Sequence, residues 1–323
     1  MNSFAEETAE AFLDSVSAAV NATNYRGTLI RSVSGRMDSM ELLHSNEDGF
    51  IREKLTAMDG EGREIIRSGN ELVWILPHRR IKLVDTNSTP SNAFVRLQAA
   101  NAALGDLYSL EAHGSDRVAG RKALRYFVRP RDGYRYGHKF WIDAATSLPL
   151  RMQLVDGKRV IEEIRFVSIE IGVDFVGGDF DSDIDSADFH VIQAGTSAAS
   201  MAANSNGEVG DAARTADGTE WSPKEMALGF RLNDDQVQTV EINGRKSRRF
   251  VFSDGLVSVS VFIEQRPSGN VAMSSQLGKM GASHTYQRNV GGRVLTVVGE
   301  VPAETLRMLA ERTEQQLLSN QEQ

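Results

Sequence analysis

Residues 50–76, FIREKLTAMDGEGREIIRSGNELVWIL, decide the fold of the first half of the chain. Three runs rich in β-branched and aromatic side chains are separated there by Asp59-Gly60 and Gly69-Asn70. Such pairs tolerate positive φ angles and therefore favour the tight turns of hairpins. The stretch predicts three consecutive antiparallel strands, at Phe50–Met58, Arg63–Ser68 and Glu71–Leu76.

The same pattern of β-rich runs and turn residues extends outward in both directions, from Tyr25 to about Ile171. It predicts a meander of antiparallel hairpins. Residues 93–104 interrupt it with an alanine-rich helical pattern, and apolar residues at three- and four-residue steps from Ala9 to Val20 predict an amphipathic leading helix. The other predicted strands are Arg26–Val33, Met37–Ser45, Arg80–Asp85, Tyr108–Arg117, Lys122–Arg129, Lys139–Asp143, Leu150–Val155 and Ile161–Ile171.

A change of composition after Phe189 separates two predicted domains. Residues 192–219 are mostly small or polar, and such a segment cannot bury enough apolar surface to offset its ordering entropy. We predict a first domain at 1–190, a flexible linker at 191–220 and a second domain at 221–323, in an α+β fold that is mostly β. The second domain is predicted to contain strands Val237–Ile242, Ser247–Phe252, Leu256–Glu264, Thr285–Asn289 and Arg293–Gly299, a hairpin turn at Asn243-Gly244, and a helix at Val301–Leu318.

Charge and composition exclude several classes of function. The chain has 36 Lys and Arg residues against 44 Asp and Glu residues, and its net charge of −8 argues against general nucleic-acid binding. It contains no cysteine, which excludes disulfides, thiol nucleophiles, Cys-ligated zinc and iron–sulfur clusters. We therefore predict that nucleic acid is not a partner.

The sequence shows no motif for catalysis or cofactor binding. Gly157-Lys158 and Gly278-Lys279 lack the other residues of a phosphate-binding loop, and the six histidines are scattered without a His-x-x-x-His pair. The acidic run at 179–188 fails as a calcium loop, because the sixth and twelfth residues counted from Asp181 are Ser186 and Ile192. We predict no catalytic residue, no cofactor and no metal site, and hence a protein that is not an enzyme.

Basic clusters are better candidates for binding. They lie at residues 78–82, 125–139 and 245–249, and those on antiparallel strands can form a positive stripe for phosphates or carboxylates. The alternative is solubilising charge that prevents strand-to-strand aggregation. The candidate residues for an anionic ligand are Arg79, Arg80, Arg129 and Arg135.

Large apolar side chains of the first domain form a second candidate set. In a closed core they are packing residues, whereas in an incompletely closed, curved sheet they would line a cavity for an acyl chain. The candidate cavity residues are Phe50, Trp74, Leu76, Phe94, Leu97, Phe127 and Trp141.

Several segments resemble those of the MucB/RseB family. In the second half these are Trp221, Gly229-Phe230, the run from Val251 to Glu264, and Val297–Pro302. In the first half, Tyr25-Arg26-Gly27-Thr28 fits the opening strand, and Trp141–Asp143 with Leu148–Arg151 is similar to a strand–turn–strand of lipoprotein carriers. The resemblance covers nearly the whole chain.

The resemblance implies a fold and a regulatory role. The first domain would be a curved antiparallel half-barrel with helices, like lipoprotein carriers, and the second a smaller antiparallel sheet with helices. The protein would bind the periplasmic domain of a transmembrane anti-sigma factor and protect it from the regulated proteolysis that triggers an envelope stress response. Lipid or lipopolysaccharide would release it. The resemblance suggests partner-binding roles for Ser253, Asp254, Gly255, Phe262 and Glu264, although Asp254-Gly255 also has the pattern of a turn.

Localisation and assembly follow less directly. Met1 to Phe4 lead into Glu6 and Glu7 without a basic or apolar signal segment, so either the protein is cytoplasmic or the chain starts at a mature N-terminus. The resemblance implies the periplasm, and the sequence is compatible with a homodimer. The alternative function is a periplasmic lipid or lipoprotein carrier, and a third is a hydrolase built from dispersed carboxylates, for which no nucleophile and base pair is evident.

Overall fold

The computed structural model describes residues 8–85, 104–193, 229–232, 237–242, 245–265, 275–290 and 292–319. It confirms the predicted fold class, with a large curved open sheet and a smaller antiparallel sheet accompanied by few helices. Contacts between residues divide the chain into two units. The described residues of the first unit are 8–85, 108–129 and 137–193; those of the second are 104–107, 130–136 and 229–319 with the gaps given above.

Helix α1 (Ala9–Ala22) confirms the predicted leading helix. Its first turn is capped by Thr8, whose side-chain oxygen accepts a hydrogen bond from the Ala11 backbone N–H at 3.2 Å. The residues predicted to form the apolar stripe are buried, including Phe12, Val16 and Val20. The helix is therefore held by packing of one face rather than by helix propensity alone.

The first unit contains a twelve-stranded sheet whose order is β12-β6-β5-β4-β3-β2-β1-β11-β10-β9-β8-β7. The strand pairs are antiparallel apart from β12, which runs parallel to β6. The strands are β1 Tyr25–Val33, β2 Arg36–Glu47, β3 Phe50–Ala57, β4 Glu64–Ser68, β5 Glu71–Leu76, β6 Ile81–Asp85, β7 Tyr108–Val118, β8 Arg121–Pro130, β9 Gly137–Asp143, β10 Pro149–Asp156, β11 Arg159–Ile171 and β12 His190–Gln193.

The predicted strands of the first domain are confirmed, and one strand was not foreseen. β12 occupies residues 190–193, where the linker was predicted to begin at 191. The rest of the predicted linker, and residues 93–103 of the predicted alanine-rich helix, lie outside the described residues. At the turn between β2 and β3, Asp48 and Gly49 have φ angles of 52° and 88°, which is why residues that tolerate positive φ are needed there.

The second unit is assembled from separate parts of the chain. Helix α2 (Leu104–Leu107) and the loop 130–136 between β8 and β9 belong to it, together with a seven-stranded antiparallel sheet and helix α3 (Ala303–Ser319). The sheet contains β13 Arg231–Leu232, β14 Gln238–Ile242, β15 Arg245–Ser253, β16 Ser258–Gln265, β17 Gln276–Met280, β18 Ser283–Val290 and β19 Arg293–Gly299. Strands β13 and β17 were not predicted, and the predicted turn at Asn243-Gly244 lies outside the described residues.

The core of the second unit follows the alternation of side chains along β16. Val257, Val259, Val261 and Ile263 are all buried, whereas Ser258, Ser260 and Phe262 are half-buried. Helix α3 packs on β18 and β19 and contributes Leu306, Leu309 and Ala310 as fully buried side chains. One face of this sheet therefore forms a core, and the other carries mixed polar and apolar side chains.

Candidate ligand-binding and partner-binding surfaces

A continuous row of apolar side chains crosses five strands of the first sheet. Register pairs join Leu42 to Leu55, Leu55 to Ile65, Ile65 to Trp74 and Trp74 to Leu83. Leu42 is buried, and the other four residues are half-buried. We call these five residues the apolar row; a surface of this kind suits an acyl chain.

The apolar row lies on the face of the sheet that packs against α1. The Phe12 ring of α1 lies 4.5 Å from the Tyr126 ring and 5.7 Å from the Phe140 ring, between ring centroids. The same buried cluster that receives Val20 of α1 also contains Leu42. We call this the helix face, and the opposite one the outer face.

A buried polar row runs beside the apolar row on the helix face. Tyr25, His44, Glu53 and Arg67 are paired successively across β1 to β4. The His44 Nδ1 atom lies 3.0 Å from a Glu53 oxygen, and Arg67 Nε donates to the other Glu53 oxygen at 3.2 Å. Tyr25 stacks on His44 with ring centroids 4.8 Å apart. Since buried charges need partners, this mutually paired row suits a role in fixing the local structure rather than in binding a ligand.

The predicted cavity residues are divided between the two faces. Trp74 and Leu76 lie on the helix face and are half-buried. Trp141 and Phe127 are buried on the outer face, because their neighbours Phe140 and Tyr126 occupy the helix face. Phe50 is half exposed on the outer face, where its ring packs over Gly69, and Phe94 and Leu97 lie outside the described residues. One cavity on one face therefore cannot be lined by all five described members of the set, because adjacent residues of a strand point to opposite faces.

Cationic side chains cover the two aromatic rings of the outer face. The Arg151 guanidinium lies 4.2 Å from the Trp141 ring and the Arg129 guanidinium 4.3 Å from the Phe127 ring. The Trp141 Nε1–H donates to Asp116 at 3.1 Å. These rings are closed off by packed charges, which suits structural stabilisation better than acyl binding.

The predicted anion-binding residues of the first unit differ in their pairing. Arg129 donates to both oxygens of Glu111, and mainly through these bonds the pKa of Glu111 falls from 4.5 to about 2. Arg80 forms an ion pair with Asp188 and lies 5.6 Å from the Phe189 ring, so the acidic segment around Asp188 supplies its counter-charge. Arg79 is exposed in a single 3₁₀ turn, Pro77–Arg79.

Arg135 has a different environment from the one predicted for it. Its side chain is fully buried in the second unit and pairs with Asp254 at 2.6 Å and with Asp132. Its guanidinium also lies 5.1 Å from the ring of Phe230, which is fully buried. Because two carboxylates already compensate its charge, Arg135 does not suit the predicted role of binding anionic head groups. We therefore remove it from the candidate set.

The predicted partner-binding residues Ser253, Asp254 and Gly255 form a tight connection between β15 and β16. One Asp254 oxygen accepts hydrogen bonds from the backbone N–H groups of Leu256 and Val257, at 3.0 and 2.8 Å. The Ser253 hydroxyl accepts from the Gly255 N–H, and Gly255 has a φ of 99°. These roles favour the interpretation that the segment is recognisable because of its fold.

Phe262 and Glu264 lie apart from that turn. Both are half-buried on the face of the second sheet opposite its core, where they alternate with the buried Val261 and Ile263. Among the predicted partner-binding residues they are the ones with side chains still accessible on a sheet face. They are therefore the better candidates for contact with a polypeptide.

Sequence reasoning placed the loop 130–136 in a basic cluster and did not foresee its structural role in the second unit. Besides the Arg135 ion pairs, the Tyr134 carbonyl accepts a hydrogen bond from the Thr305 hydroxyl at 2.8 Å. The backbone N–H of Arg131 donates to the Leu107 carbonyl at 2.9 Å, and Arg131 Nε donates to Gly105. Contacts between residues this far apart in sequence leave no local periodic signal, so no pattern could have indicated them.

Within the part of the chain that the structure describes, no group of three or more His, Asp and Glu side chains could hold a metal ion. The acidic run at 179–188 is used in hydrogen bonds and ion pairs instead. Asp183 receives Lys54 Nζ at 2.6 Å, and Lys54 also donates to the Asp181 carbonyl. Among the described helices, none is both long enough and apolar enough to cross a membrane.

Comparison with known proteins gives matches along most of the chain. A model of the MucB/RseB N-terminal domain matches residues 8–189, and a model of the MucB/RseB C-terminal domain matches residues 215–314. The sigma factor AlgU regulatory protein MucB of Pseudomonas aeruginosa is 30% identical over 304 residues, which are 93% of this chain and 88% of that protein. The sigma-E factor regulatory protein RseB of Escherichia coli K12 is 23% identical over 316 residues, covering 96% of this chain and 92% of that protein.

Solved structures agree with the fold. The crystal structure of MucB in complex with MucA(peri) aligns with a TM-score of 0.66 at 23% identity and covers 93% of this chain and 96% of that one. The crystal structure of MucB aligns with a TM-score of 0.59 at 24% identity, covering 93% and 95%. At this level of identity the likeness shows the fold.

Proposed function

This chain belongs to the MucB/RseB family, and we propose that it is a periplasmic regulatory protein that binds the periplasmic domain of a membrane anti-sigma factor. The observation that carries the proposal is similarity to sigma factor regulatory proteins over both halves of the chain. The relative MucB has been crystallised with MucA(peri), so a periplasmic polypeptide is a partner of the same fold. While bound, the protein would shield the anti-sigma factor from regulated proteolysis. It would do so without catalysis of its own.

In this proposal, each predicted domain has its own binding role. Residues 1–190 would sense lipid or lipopolysaccharide, residues 191–220 would serve as the linker, and residues 221–323 would bind the anti-sigma factor. The half-buried apolar row supports the lipid part, because Leu55, Ile65, Trp74 and Leu83 present a continuous apolar strip on one face. A lipid would release the partner only by as much as its affinity differs between the free and bound states.

Binding of the purified chain to the periplasmic segment of the anti-sigma factor from the same genome tests the proposal. We expect saturable binding in isothermal titration calorimetry, and loss of that binding as lipopolysaccharide is added. Absence of binding to the segment would overturn the regulatory proposal. Lipid binding without segment binding would instead support the alternative, a periplasmic lipid or lipoprotein carrier, which the apolar row also fits. A homodimer stays a prediction, which sedimentation of the same sample checks.

The apolar row is tested by a matched pair of tryptophan variants. Trp74→Ala removes the largest side chain of the row, whereas Trp141→Ala removes a tryptophan of the outer face. We expect Trp74→Ala to weaken lipid binding at least about tenfold, since a lost aromatic contact of this size exceeds about 1.4 kcal/mol. Trp141→Ala should leave lipid affinity unchanged, provided that circular dichroism shows both variants folded. Equal effects of the two variants on lipid affinity would contradict a site on the helix face.

A further inference from the structure

The second sheet has a second side, buried to half-buried, whose side chains differ from those of its core. Arg249, Phe262, Thr296 and Gln287 are paired successively across β15, β16, β19 and β18, and so form one row. We call the side of the sheet that bears this row the polar face. The adjacent row on the other side, with Phe250, Val261, Val297 and Tyr286, is buried.

Arg249 is the unusual member of the polar face. It is 9% exposed, and one of its terminal nitrogens donates a hydrogen bond to the Ser260 hydroxyl at 3.2 Å. Its Nε is buried, and among the described residues it has no hydrogen-bond partner. The Phe262 ring lies 5.8 Å from the guanidinium carbon.

No carboxylate among the described residues compensates the charge of Arg249. Glu264 lies on the same face, two residues along β16 from Phe262, the residue opposite Arg249. Among the described contacts it forms no ion pair with Arg249. Burial lowers the pKa of the Arg249 guanidinium, and among the described residues no acidic side chain raises it again. By contrast, the buried Arg135 and Arg67 of this chain each pair with a carboxylate.

A buried guanidinium without an anion is costly, because its lost hydration is not replaced by a charged partner. Such a group is stabilised when a ligand supplies a carboxylate, which can accept two parallel hydrogen bonds from the guanidinium fork. The surroundings fit a polypeptide better than a free ion. Half-buried Phe262 and Val298 provide apolar contact, and the Thr296 hydroxyl and Gln287 amide provide hydrogen bonding. Arginine and aromatic side chains are enriched at the centres of protein interfaces.

We propose that Arg249 is the anchor of a binding site for an acidic side chain of a partner polypeptide, with Ser260, Phe262 and Thr296 as the surrounding contacts. The inference rests on the proposed function, since it takes that partner to be the periplasmic segment of the anti-sigma factor. It assigns the polar face of the second sheet to the interface. An Asp or Glu of that segment then replaces the missing counter-ion of Arg249.

The test compares Arg249→Gln and Arg249→Lys with wild type in calorimetric titrations against the periplasmic segment. We expect Arg249→Gln to bind about 30-fold more weakly or worse, because loss of one partner of a buried charge pair has effects of that size. Arg249→Lys should lie between, since lysine keeps the charge and loses the fork. The matched control is Arg307→Gln, an exposed arginine of α3 in the same unit, which should bind like wild type.

Thermal unfolding of the free variants separates binding from folding. Because no described carboxylate pairs with the charge of Arg249, Arg249→Gln should not lower the unfolding midpoint and should leave it unchanged or raise it. Wild-type affinity in Arg249→Gln, or a marked drop in its midpoint, would overturn the inference. Failure of the wild-type chain to bind any periplasmic segment would instead overturn the proposed function.

The acidic residue of the partner can be identified by changing each Asp and Glu of the segment to its amide. Binding energies are then measured with wild-type and Arg249→Gln protein. One position should lose most of its effect in the Arg249→Gln background, which is the signature of a direct pair in a double-mutant cycle. Inorganic phosphate at millimolar concentration is added as a free-anion control. It should compete only weakly with the periplasmic segment for binding. Full additivity at every position, or displacement of the segment by phosphate alone, would contradict a carboxylate contact.

Discussion

Asp254 divides its two carboxylate oxygens between a guanidinium and a turn. One oxygen receives Arg135 Nε at 2.6 Å, and the other accepts the Leu256 and Val257 backbone N–H groups. Removal of the carboxylate leaves Arg135 without its ion pair to Asp254 and leaves the turn uncapped. We expect Asp254→Ala to lower the free energy of unfolding by about 3 kcal/mol or more, measured by urea denaturation.

Two further variants separate the charge of Asp254 from its capping role. Asp254→Asn keeps an oxygen for the backbone N–H groups and should cost less than Asp254→Ala. Arg129→Gln, which removes a half-exposed ion pair, should change stability by less than about 1 kcal/mol. If Asp254→Ala and Arg129→Gln had equal effects, the buried ion pair would have no special role.

Glu111 offers a pH test of a surface pair. Its pKa is lowered to about 2, first through hydrogen bonds from Arg129 and then through His113. A lowered pKa in the folded state means that the contribution to stability is present above the unfolded value of about 4.5 and is lost as the pH falls through about 2. We expect carbon NMR to find the Glu111 midpoint near 2, moving toward 4.5 in Arg129→Gln. A midpoint near 4.5 in wild type would contradict the pairing.

Side-chain roles were the least predictable from sequence. Asp254-Gly255 was identified as a turn, because those residue types tolerate the required backbone angles. The buried pairing of Arg135 could not be seen, since it joins residues 119 positions apart. An arginine in a basic cluster looks the same in sequence whether it is exposed or paired in a core.

At the scale of strands, Gly27 in β1 shows why a single glycine is needed. A Cβ placed there would lie 2.3 Å from the Ser168 carbonyl oxygen and 3.1 Å from the Ile169 Cα of β11. Both contacts are with backbone, beside the irregularity in β1–β11 pairing at Thr28/Leu29, so neither can move cheaply. We expect Gly27→Ala to reduce the free energy of unfolding by about 2 kcal/mol or more, measured by urea denaturation.

Gly62→Ala is the matched control for Gly27→Ala. A Cβ at Gly62 meets nothing within 4 Å, and its backbone φ is not positive. Its unfolding free energy should match that of wild type within about 0.5 kcal/mol. Loss of stability in Gly62→Ala comparable to that in Gly27→Ala would show that the close approach of β11 does not account for the effect.

Strands with a dense β-branched or aromatic pattern were predicted well, and short polar strands were not. β5 was predicted with its observed bounds, Glu71–Leu76, because turn residues enclose it on its N-terminal side and Pro77 on the other. β13 has two residues, and β17 is Gln-Leu-Gly-Lys-Met, so neither shows an alternation. β12 pairs in parallel with β6, which lies more than a hundred residues earlier, and no local signal marks it.

At the scale of the molecule, the sequence predicted the two sheets. It did not predict which side chains from different strands share one face of a sheet. The candidate cavity set combined Trp74 with Trp141, although they lie on opposite faces of the sheet. The sequence of a single strand shows which of its residues share a face, but it does not show which face of the sheet that is. Assigning both to a common face requires the register of every strand between β5 and β9. The apolar row therefore emerges only from the pairing pattern of the whole sheet.

The second unit includes a loop from the middle of the sequence, and this predicts how a fragment will behave. Residues 205–323 alone lack Arg135, the partner of Asp254, and Tyr134, whose carbonyl receives Thr305. We expect the fragment to unfold at a lower urea concentration than the second unit of the full chain, if it folds at all.

The variant Asp254→Asn makes that expectation specific. In the full chain it should be destabilising, because it removes a charge from a buried pair. In the fragment the same change should have an effect within about 0.5 kcal/mol of zero, since the fragment lacks the Arg135–Asp254 ion pair. Urea denaturation of the four proteins measures both effects. An equal loss in fragment and full chain would mean that Asp254 acts only through its turn. A fragment as stable as the intact unit would show that the loop 130–136 is dispensable for folding.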